Sequence, residues 1–313
     1  KMQKFLISKP NASSVTAKYN EDYHRKDTLC PLDEANVVIF GNKSFRPKQR
    51  EIITAVLEAK RDVFVIMPTG GGKSLCYALP AVLSKGVTVV VSPLMSLIED
   101  QVSTFLQLPS GGIPTAYLTS SCSKSMVAAV FSDLSRSRMG KEPFIKLLYV
   151  TPERLVKGEG TRSILQEMHQ NEMIARFVID EAHCVSSWGH DFRKDYGALG
   201  LLKDEFPEVT ILALTATASN KVVSDVLKVL QMSQCVQFHT GFDRPNLFFE
   251  VRPKNPNHAL LLQETLQYIQ QKQPLSTGIV YCMTKRQCEE TADFLRDNGL
   301  KADYYHAGMS TTD

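Results

Sequence analysis

The sequence predicts an α/β fold in which helices cover both faces of a parallel β-sheet. Short apolar runs typical of buried strands alternate with segments whose apolar residues recur at helical spacing. The run at 63–66 leads into a glycine-rich loop, and the run at 176–180 ends in an acidic pair. In parallel sheets ligands bind beyond the carboxyl ends of the strands, so we expect both features at one edge.

The composition is that of an ordinary globular protein without a strong excess of either charge. The chain has 313 residues, which suggests about two domains. Its 36 Lys and Arg residues against 33 Asp and Glu leave a net charge of +3, which permits nucleic-acid binding without arguing for it. The seven cysteines are scattered without a C-x-x-C pair, so they indicate a reducing compartment and no legible zinc site. No run is long enough for a membrane span, and we expect no membrane partner.

Taken in order, the chain opens with a polar segment, 1–30, that we interpret as an N-terminal tail. A first helix is predicted from Leu32 to Ile39, with Gly41 just past its end. A second helix follows Gln49 and precedes the strand at 63–66. The remaining predictions are helices at 75–80, 94–106, 125–134 and 220–230 and strands at 87–91, 145–150, 176–180 and 209–214. Together these elements assign 31–240 to a first domain.

The alternation is interrupted over 241–257, where glycine and several prolines predict an interdomain junction. It resumes with helices predicted at 258–271 and 286–298 and strands predicted at 278–282 and 302–305. We therefore expect residues 258–313 to form part of a second domain of the same kind.

The glycine-rich loop has the composition of a phosphate cradle. It consists of Thr69, Gly70, Gly71, Gly72, Lys73 and Ser74. Its glycines let backbone N–H groups close on phosphates, and the start of the next helix favours an anion. Lys73 would reach the β- and γ-phosphates, and the Ser74 hydroxyl would hold Mg²⁺. The general pattern has glycine where this chain has Met67, but the strand–loop–helix context fits a P-loop variant that binds ATP.

The acidic pair belongs to the segment Asp180-Glu181-Ala182-His183. An acidic residue at a strand end can hold Mg²⁺, which assigns the metal to Asp180 together with Ser74. Glu181 can orient or deprotonate an attacking water. His183 can hydrogen-bond between the ATP site and a moving element. With Lys73, these residues are the predicted catalytic set.

Further segments occur in the order of known helicase motifs. They are Phe40-Gly41, Phe45-Arg46 and Gln49, Ser92-Pro93-Leu94 through Asp100-Gln101, Tyr149 to Glu153, Leu214 to Ala218, Phe242 to Leu247, Gly278 to Met283, and Tyr305 to Met309. With the phosphate loop and the acidic segment, they make the chain similar to the helicase core of the RecQ family, within the second helicase superfamily. The resemblance runs from about residue 36 to residue 313. It implies a RecA-like first domain and the start of a second RecA-like domain, in which the chain stops.

The resemblance also assigns roles to individual residues. Arg46 and Gln49 lie in the family's adenine-reading motif, and the donor and acceptor of the Gln49 amide suit the adenine edge. Nucleic-acid binding or its coupling to ATP is implied for residues in three further motifs. Those residues are Ser92, Pro93, Thr151, Thr215 and Thr217.

The segment Cys184 to Tyr196 resembles the family's aromatic-rich loop, which senses single-stranded DNA and signals the ATP site. Trp188 and Phe192 can stack on bases, and Arg193 can neutralise a phosphate or reach toward the nucleotide. His190 belongs to the same predicted contact set. The alternative is that the two aromatic residues belong to the core, although their charged and glycine neighbours favour a surface segment.

By resemblance, the protein is an ATP-dependent DNA helicase that moves 3′ to 5′ on single-stranded DNA and unwinds forked DNA, using ATP and Mg²⁺. The resemblance implies a role in repair, recombination or replication, and it allows repair and recombination proteins as partners. It implies the nucleus in a eukaryote and otherwise the cytoplasm. Zinc is expected only if a C-terminal module follows.

Two alternatives stay open at this point. The Asp-Glu-Ala-His segment is shared with RNA helicases and other nucleic-acid-dependent ATPases of the superfamily. The chain could also be a nucleotide-binding but catalytically incomplete fragment, because the second-domain motif that supplies the family's arginine to the ATP site cannot be placed in it. Without that arginine, we expect residues 1–313 alone to bind adenine nucleotide, to hydrolyse it very little and not to unwind DNA.

Overall fold

A computed structural model of the protein describes residues 31–187, 193–216, 218–241, 247–272 and 276–309. Described residues up to 241 belong to one compact unit, and those from 247 onward belong to a second. The tail predicted at 1–30 and the central part of the predicted junction, 242–246, lie outside the described residues.

The first unit is built on a seven-stranded parallel sheet, which confirms the predicted fold class. The strands are β1 (Val63–Ile66), β2 (Val87–Val91), β3 (Thr115–Leu118), β4 (Leu147–Val150), β5 (Ile174–Ile179), β6 (Ile211–Thr215) and β7 (Val236–His239). Their order across the sheet is β3-β4-β2-β5-β6-β1-β7. The strand that leads into the glycine-rich loop, β1, therefore lies next to β6, and the strand that carries the acidic pair, β5, lies next to β6 on its other side.

The central strands are largely apolar because helices cover both faces of the sheet. Successive side chains alternate between two hydrophobic clusters, so that Phe64 packs in one and Val65 in the other. The helices of the first unit are α1 (Pro31–Val38), α2 (Gln49–Glu58), α3 (Leu75–Leu83), α4 (Met95–Leu106), α5 (Lys124–Leu134), α6 (Pro152–Lys157), α7 (Glu159–Gln170), α8 (Lys194–Gly197), α9 (Leu201–Glu205) and α10 (Asn220–Val229). Buried residues of α1 to α4 line one cluster, and those of α5, α7, α9 and α10 line the other.

Several elements were not predicted from the sequence. Strands β3 and β7 have four residues each and lie at the two edges of the sheet, where a short run gives a weak periodic signal. Helix α7 has buried apolar residues at Ile164, Leu165 and Met168, a helical spacing that the prediction passed over. Helix α3 continues through Pro80 to Leu83 and so extends past the predicted end at residue 80.

The second unit contains two helices in its described residues, α11 (His258–Lys272) and α12 (Lys285–Asp297). Both match predicted helices, and the Thr284 hydroxyl caps α12 by accepting from the N–H of Gln287. The strands predicted at 278–282 and 302–305 are wrong, since the structure assigns no strand to these described residues. A strand needs a hydrogen-bonding neighbour, and Ile279, Tyr281 and Tyr305 are exposed here instead of packed in a sheet.

Candidate active site

The glycine-rich loop follows β1 and has a backbone that requires glycine. Gly70 and Gly72 have φ angles of 80° and 88°, in the left-handed region. A Cβ atom on Gly72 would lie 2.3 Å from Nε2 of Gln49, and one on Gly71 would lie 2.5 Å from Cγ of Met67. The side chain of Met67, which stands where the general pattern has glycine, thus packs directly against the loop.

The loop is suited to hold phosphate groups. Within the described residues, the backbone N–H groups of Gly72, Lys73 and Ser74 donate to no protein acceptor, and Ser74 immediately precedes helix α3. Unpaired N–H groups at a helix start form an anion site that the helix dipole reinforces. The residues present therefore fit the triphosphate of a nucleotide, in agreement with the predicted P-loop.

Arg46 and Gln49 contact the same loop from the start of α2. The Gln49 amide donates from Nε2 to the carbonyl oxygen of Gly72 at 3.0 Å, and its Oε1 accepts from the N–H of Arg46 at 2.7 Å. The Arg46 guanidinium donates through Nη1 to the carbonyl oxygen of Gly70. Gln49 is buried, so these contacts fix its orientation. The two residues predicted to read adenine therefore also hold the conformation of the phosphate loop.

The acidic pair faces Lys73 across the sheet edge. Oε1 of Glu181 lies 3.9 Å from Nζ of Lys73, and Glu181 adopts a left-handed backbone with φ of 49°. Burial, followed by the charge of Glu181, raises the pKa of Asp180 from 3.8 to about 6, while Lys73 opposes this shift. A carboxylate and a hydroxyl are oxygen ligands of the kind that Mg²⁺ prefers, so Asp180 and Ser74 fit the predicted metal site.

His183 and Thr215 join the ends of β5 and β6. Nδ1 of His183 lies 3.0 Å from Oγ1 of Thr215 and 3.4 Å from Oε2 of Glu181. Thr215 is fully buried at the end of β6. The structure thus brings His183, Glu181 and Thr215 into one contact group, whereas Thr217 lies outside the described residues.

The residues predicted to contact nucleic acid are only partly within the described chain. Trp188, His190 and Phe192 lie outside it. Arg193, at the end of that loop, donates from Nη1 to the carbonyl oxygen of Pro93 at 2.6 Å. The side chain of Arg193 is therefore attached to the segment that follows β2.

Ser92 and Thr151 occupy the ends of β2 and β4. Ser92 is buried, and the Thr151 hydroxyl caps α6 by accepting from the N–H of Arg154 at 3.4 Å. Exposed apolar side chains lie beside them at Leu94 and Leu97, where α4 begins. The predicted contact set thus includes residues whose side chains position the strand ends.

Three buried tyrosines close to these motifs were not predicted as site residues. The hydroxyls of Tyr77 and Tyr149 lie 2.9 Å apart, and the Tyr196 hydroxyl donates to the carbonyl oxygen of Asp180 at 2.9 Å. A buried phenol needs a hydrogen-bonding partner. A tyrosine in an otherwise apolar run beside a motif could therefore have been identified from the sequence as a residue that supports the site.

A phosphate loop after β1 and an acidic pair after β5, on a parallel sheet covered by helices, define a RecA-like nucleotide-binding domain of the helicase type. The family model described as DEAD/DEAH box helicase matches residues 46–226. The chain belongs to this family, and the similarities below confirm its resemblance to the RecQ helicases.

Curated relatives share close to half of their aligned residues with this chain. It is 45% identical over 304 residues to the ATP-dependent DNA helicase Q-like 2 of Arabidopsis thaliana, covering 97% of this chain and 42% of the relative. It is also 45% identical over 278 residues to the Q-like 4B protein of the same plant, covering 89% and 23%. The RecQ-like DNA helicase BLM of Xenopus laevis is 45% identical over 271 residues, covering 87% and 19%. The chain thus spans less than half of the length of each of these relatives.

A solved structure shows the same fold at low sequence identity. The crystal structure of the DUF1998 helicase MrfA matches with a TM-score of 0.62 and 16% identity, covering 88% of this chain and 41% of that one. Within the described residues, no helix has both the length and the apolar character that a membrane span requires.

Proposed function

We propose that the protein is an ATP-dependent DNA helicase of the RecQ type, whose ATP hydrolysis is stimulated by single-stranded DNA. The observation that carries this proposal is the position of Glu181, 3.9 Å from Lys73 at the edge of the sheet where the phosphate loop begins. A cation for the phosphates and a carboxylate for the water are thus adjacent, as phosphoryl transfer to water requires.

Each residue of the site has a distinct role in this proposal. The N–H groups at Gly72, Lys73 and Ser74 hold the phosphates, and Lys73 neutralises their charge. Ser74 and Asp180 would hold Mg²⁺, which would offset the negative charge of the phosphates. Glu181 orients the attacking water and accepts its proton.

His183 carries the state of this site to the end of β6. It contacts Glu181 on one side and Thr215 on the other, at 3.4 and 3.0 Å. A change in the position of Glu181 on nucleotide binding or hydrolysis would therefore alter the hydrogen bond at the end of β6. Thr215 and Thr217 belong to this coupling segment.

Single-stranded DNA is expected along the carboxyl ends of β2 and β4. Leu94 and Leu97 are exposed there, and Arg193 attaches the end of the aromatic-rich loop to Pro93. Trp188 and Phe192 supply the stacking surfaces and His190 a polar contact. The curated relatives are named as DNA helicases, which supports DNA over RNA as the substrate.

The finer parts of the proposal follow from the RecQ resemblance. They are 3′ to 5′ movement, unwinding of forked DNA, action in repair, recombination or replication, and the nucleus as the location in a eukaryotic cell. Partners from repair and recombination belong to the same proposal.

The test is steady-state ATP hydrolysis by the full-length protein with Mg²⁺. It is measured without nucleic acid, with single-stranded DNA and with RNA of the same sequence, and Lys73→Ala serves as the inactive control. We expect stimulation by DNA, and faster unwinding of a duplex with a 3′ single-stranded tail than of one with a 5′ tail. Equal or greater stimulation by RNA would assign the protein to the RNA-dependent members of the superfamily. Absence of stimulation by either would contradict the proposal.

A further inference from the structure

We propose that the buried hydroxyl pair of Tyr77 and Tyr149 positions the phosphate loop relative to the ends of β2 and β4, and so couples DNA contact to ATP turnover. Both are positioning residues, since neither side chain reaches the solvent-facing edge of the site. The inference rests on the proposed function and assigns a route for the stimulation by DNA.

The Tyr77 end of the pair is attached to the phosphate loop. Ser74 lies one helical turn before Tyr77, and its carbonyl oxygen accepts from the N–H of Tyr77 at 3.4 Å and of Ala78 at 3.0 Å. A movement of the Tyr77 ring is therefore transmitted through a single turn of α3 to the predicted Mg²⁺ ligand.

The Tyr149 end of the pair is attached to the end of β4. Tyr149 lies on β4 two residues before Thr151, which caps α6. Its hydroxyl lies 2.9 Å from that of Tyr77, and the two rings pack edge to face with centroids 6.5 Å apart. This contact joins α3 and β4, two segments that are far apart in the sequence.

A third element joins the same group. The Tyr77 hydroxyl also lies 3.5 Å from Oε1 of Gln101, on helix α4, which begins three residues after Ser92 at the end of β2. The pair thus contacts the helices or strands associated with three motifs: the phosphate loop, the end of β2 and the end of β4.

The hydroxyls are not required to fill the core. Both rings are fully buried in the apolar cluster that α1 to α4 form on the sheet, where phenylalanine would occupy almost the same volume. Burying a phenol hydroxyl is unfavourable unless it is hydrogen-bonded, so the Tyr149 hydroxyl depends on Tyr77 remaining in place, while the Tyr77 hydroxyl has both Tyr149 and Gln101 as partners. The hydrogen bond between the two hydroxyls therefore favours one relative position of α3 and β4. A shift of either element would stretch this bond and so act on the other element.

The experiment replaces each hydroxyl separately in the full-length protein. Tyr77→Phe, Tyr149→Phe and the double variant are compared with wild type for ATP turnover with and without single-stranded DNA. The readout is the ratio of the two rates, together with the DNA concentration that gives half of the stimulation. We expect each single variant to lower the ratio by about 2- to 30-fold, the range typical of residues that carry coupling between sites. The double variant should resemble Tyr77→Phe, since that change already removes the contact with Tyr149 together with the one to Gln101.

Tyr117→Phe is the matched control. Tyr117 lies opposite Tyr149 in the β3–β4 register and in the same cluster, and in the described part of the chain its hydroxyl makes no hydrogen bond. The Tyr117→Phe variant should leave the ratio of ATP turnover with and without DNA at the wild-type value. Thermal unfolding of every variant shows whether a variant with a lowered ratio is still folded. The two single variants remove the contact from its two sides separately.

The outcomes separate the inference from the proposed function. If wild type is stimulated by DNA and both single variants retain its ratio, the pair is structural and the inference is wrong. The same conclusion follows if basal and stimulated turnover fall together, or if Tyr117→Phe lowers the ratio as much. If wild type shows no stimulation by DNA, the proposed function itself fails and the inference fails with it.

Discussion

The side-chain amide of Gln49 donates a hydrogen bond to the carbonyl oxygen of Gly72, with Nε2 and O 3.0 Å apart. The residue expected to read the adenine base is therefore also a support of the phosphate loop. Because Gly72 has a φ of 88°, the loop holds a backbone conformation that few residues tolerate, and Gln49 stabilises it from outside.

Replacing Gln49 should consequently affect more than the choice of base. In Gln49→Leu the Gly72 carbonyl loses its donor, which costs about 0.5–1.5 kcal/mol and lowers nucleotide affinity by up to about 10-fold. We expect weaker binding of both Mg·ATP and Mg·GTP, with a greater loss for ATP. Binding is measured by titration with fluorescent nucleotides. Glu51→Gln, at an exposed position of the same helix, is the control, and a loss confined to ATP would show that Gln49 does not support the loop.

The contact between Glu181 and Lys73 leads to a second prediction. Glu181→Gln removes the proton acceptor but keeps the shape of the side chain, so Mg·ATP should still bind while turnover falls by about 10²- to 10⁴-fold. Lys73→Ala should instead weaken nucleotide binding itself. Rapid-quench turnover and equilibrium binding are measured for both.

Glu172→Gln is a suitable control for this change. Glu172 is exposed and lies just before β5, whereas Glu181 lies just after that strand. Like Glu181, Glu172 has a left-handed backbone, with φ of 54°. Near-normal turnover in Glu181→Gln, or an equal loss in Glu172→Gln, would exclude Glu181 as the base.

Asp180 should destabilise the nucleotide-free protein at neutral pH. Its pKa is raised from 3.8 to about 6 in the folded state, so the stability associated with its protonated form is complete below pH 3.8 and is lost as the pH rises through about 6. Because each unit of pKa shift corresponds to about 1.4 kcal/mol, we expect this loss to be about 1–3 kcal/mol at pH 8. The Asp180→Asn variant has no ionisable group at this position, so it does not lose this stability as the pH rises.

The corresponding measurement is thermal unfolding of Asp180→Asn and wild type without nucleotide or Mg²⁺ between pH 5 and pH 8. The gain in melting temperature of the variant should grow as the pH rises, while its stabilisation by Mg·ATP should disappear. Asp100→Asn, at an exposed carboxylate, should show neither effect. A gain that shrinks with rising pH would mean that the pKa of Asp180 is not raised.

The sequence was sufficient to predict the parallel sheet and the glycine-rich turn that follows β1, because buried strands and glycine-rich turns have strong local patterns. It was not sufficient for contacts between distant segments. Nothing local to Arg193 indicates that its guanidinium binds the carbonyl of Pro93, since that contact depends on β2 and β5 being neighbours. The strands predicted at 278–282 and 302–305 have suitable residues, but strand formation also depends on a partner, which a local pattern does not contain.

The bond between His183 and Thr215 predicts energetic coupling between the ends of β5 and β6. Thr215→Val keeps the buried volume and removes the hydroxyl, and His183→Ala removes the other partner. In a double-mutant cycle on DNA-stimulated turnover, the two changes should be non-additive by about 0.5–3 kcal/mol. Thr210→Val, at the opposite end of the same strand, is the control for the loss of a hydroxyl. Additive effects would indicate that the two residues act independently.

The last prediction concerns the attachment of Arg193 to Pro93. It separates the effect of this hydrogen bond on coupling from the effect of the positive charge of Arg193. The guanidinium donates to the Pro93 carbonyl at 2.6 Å from the end of the aromatic-rich loop, so Arg193→Ala should release the loop from the end of β2. DNA-stimulated turnover should then fall more than basal turnover does. Arg193→Lys keeps the charge but has a compact ammonium with a different reach, and it should resemble Arg193→Ala if the attachment matters.

The adjacent Lys194→Ala removes a positive charge at an exposed position and should have little effect. Trp188→Ala should lower stimulation for a different reason, through the loss of base stacking worth about 1–3 kcal/mol. Salt separates a phosphate contact of Arg193 from both of these causes, because a phosphate contact is more sensitive to ionic strength than neutral stacking or the bond to Pro93 is. If Arg193→Lys retains full stimulation and the loss in Arg193→Ala shrinks as salt is raised, Arg193 acts as a phosphate contact, and its bond to Pro93 is incidental to coupling.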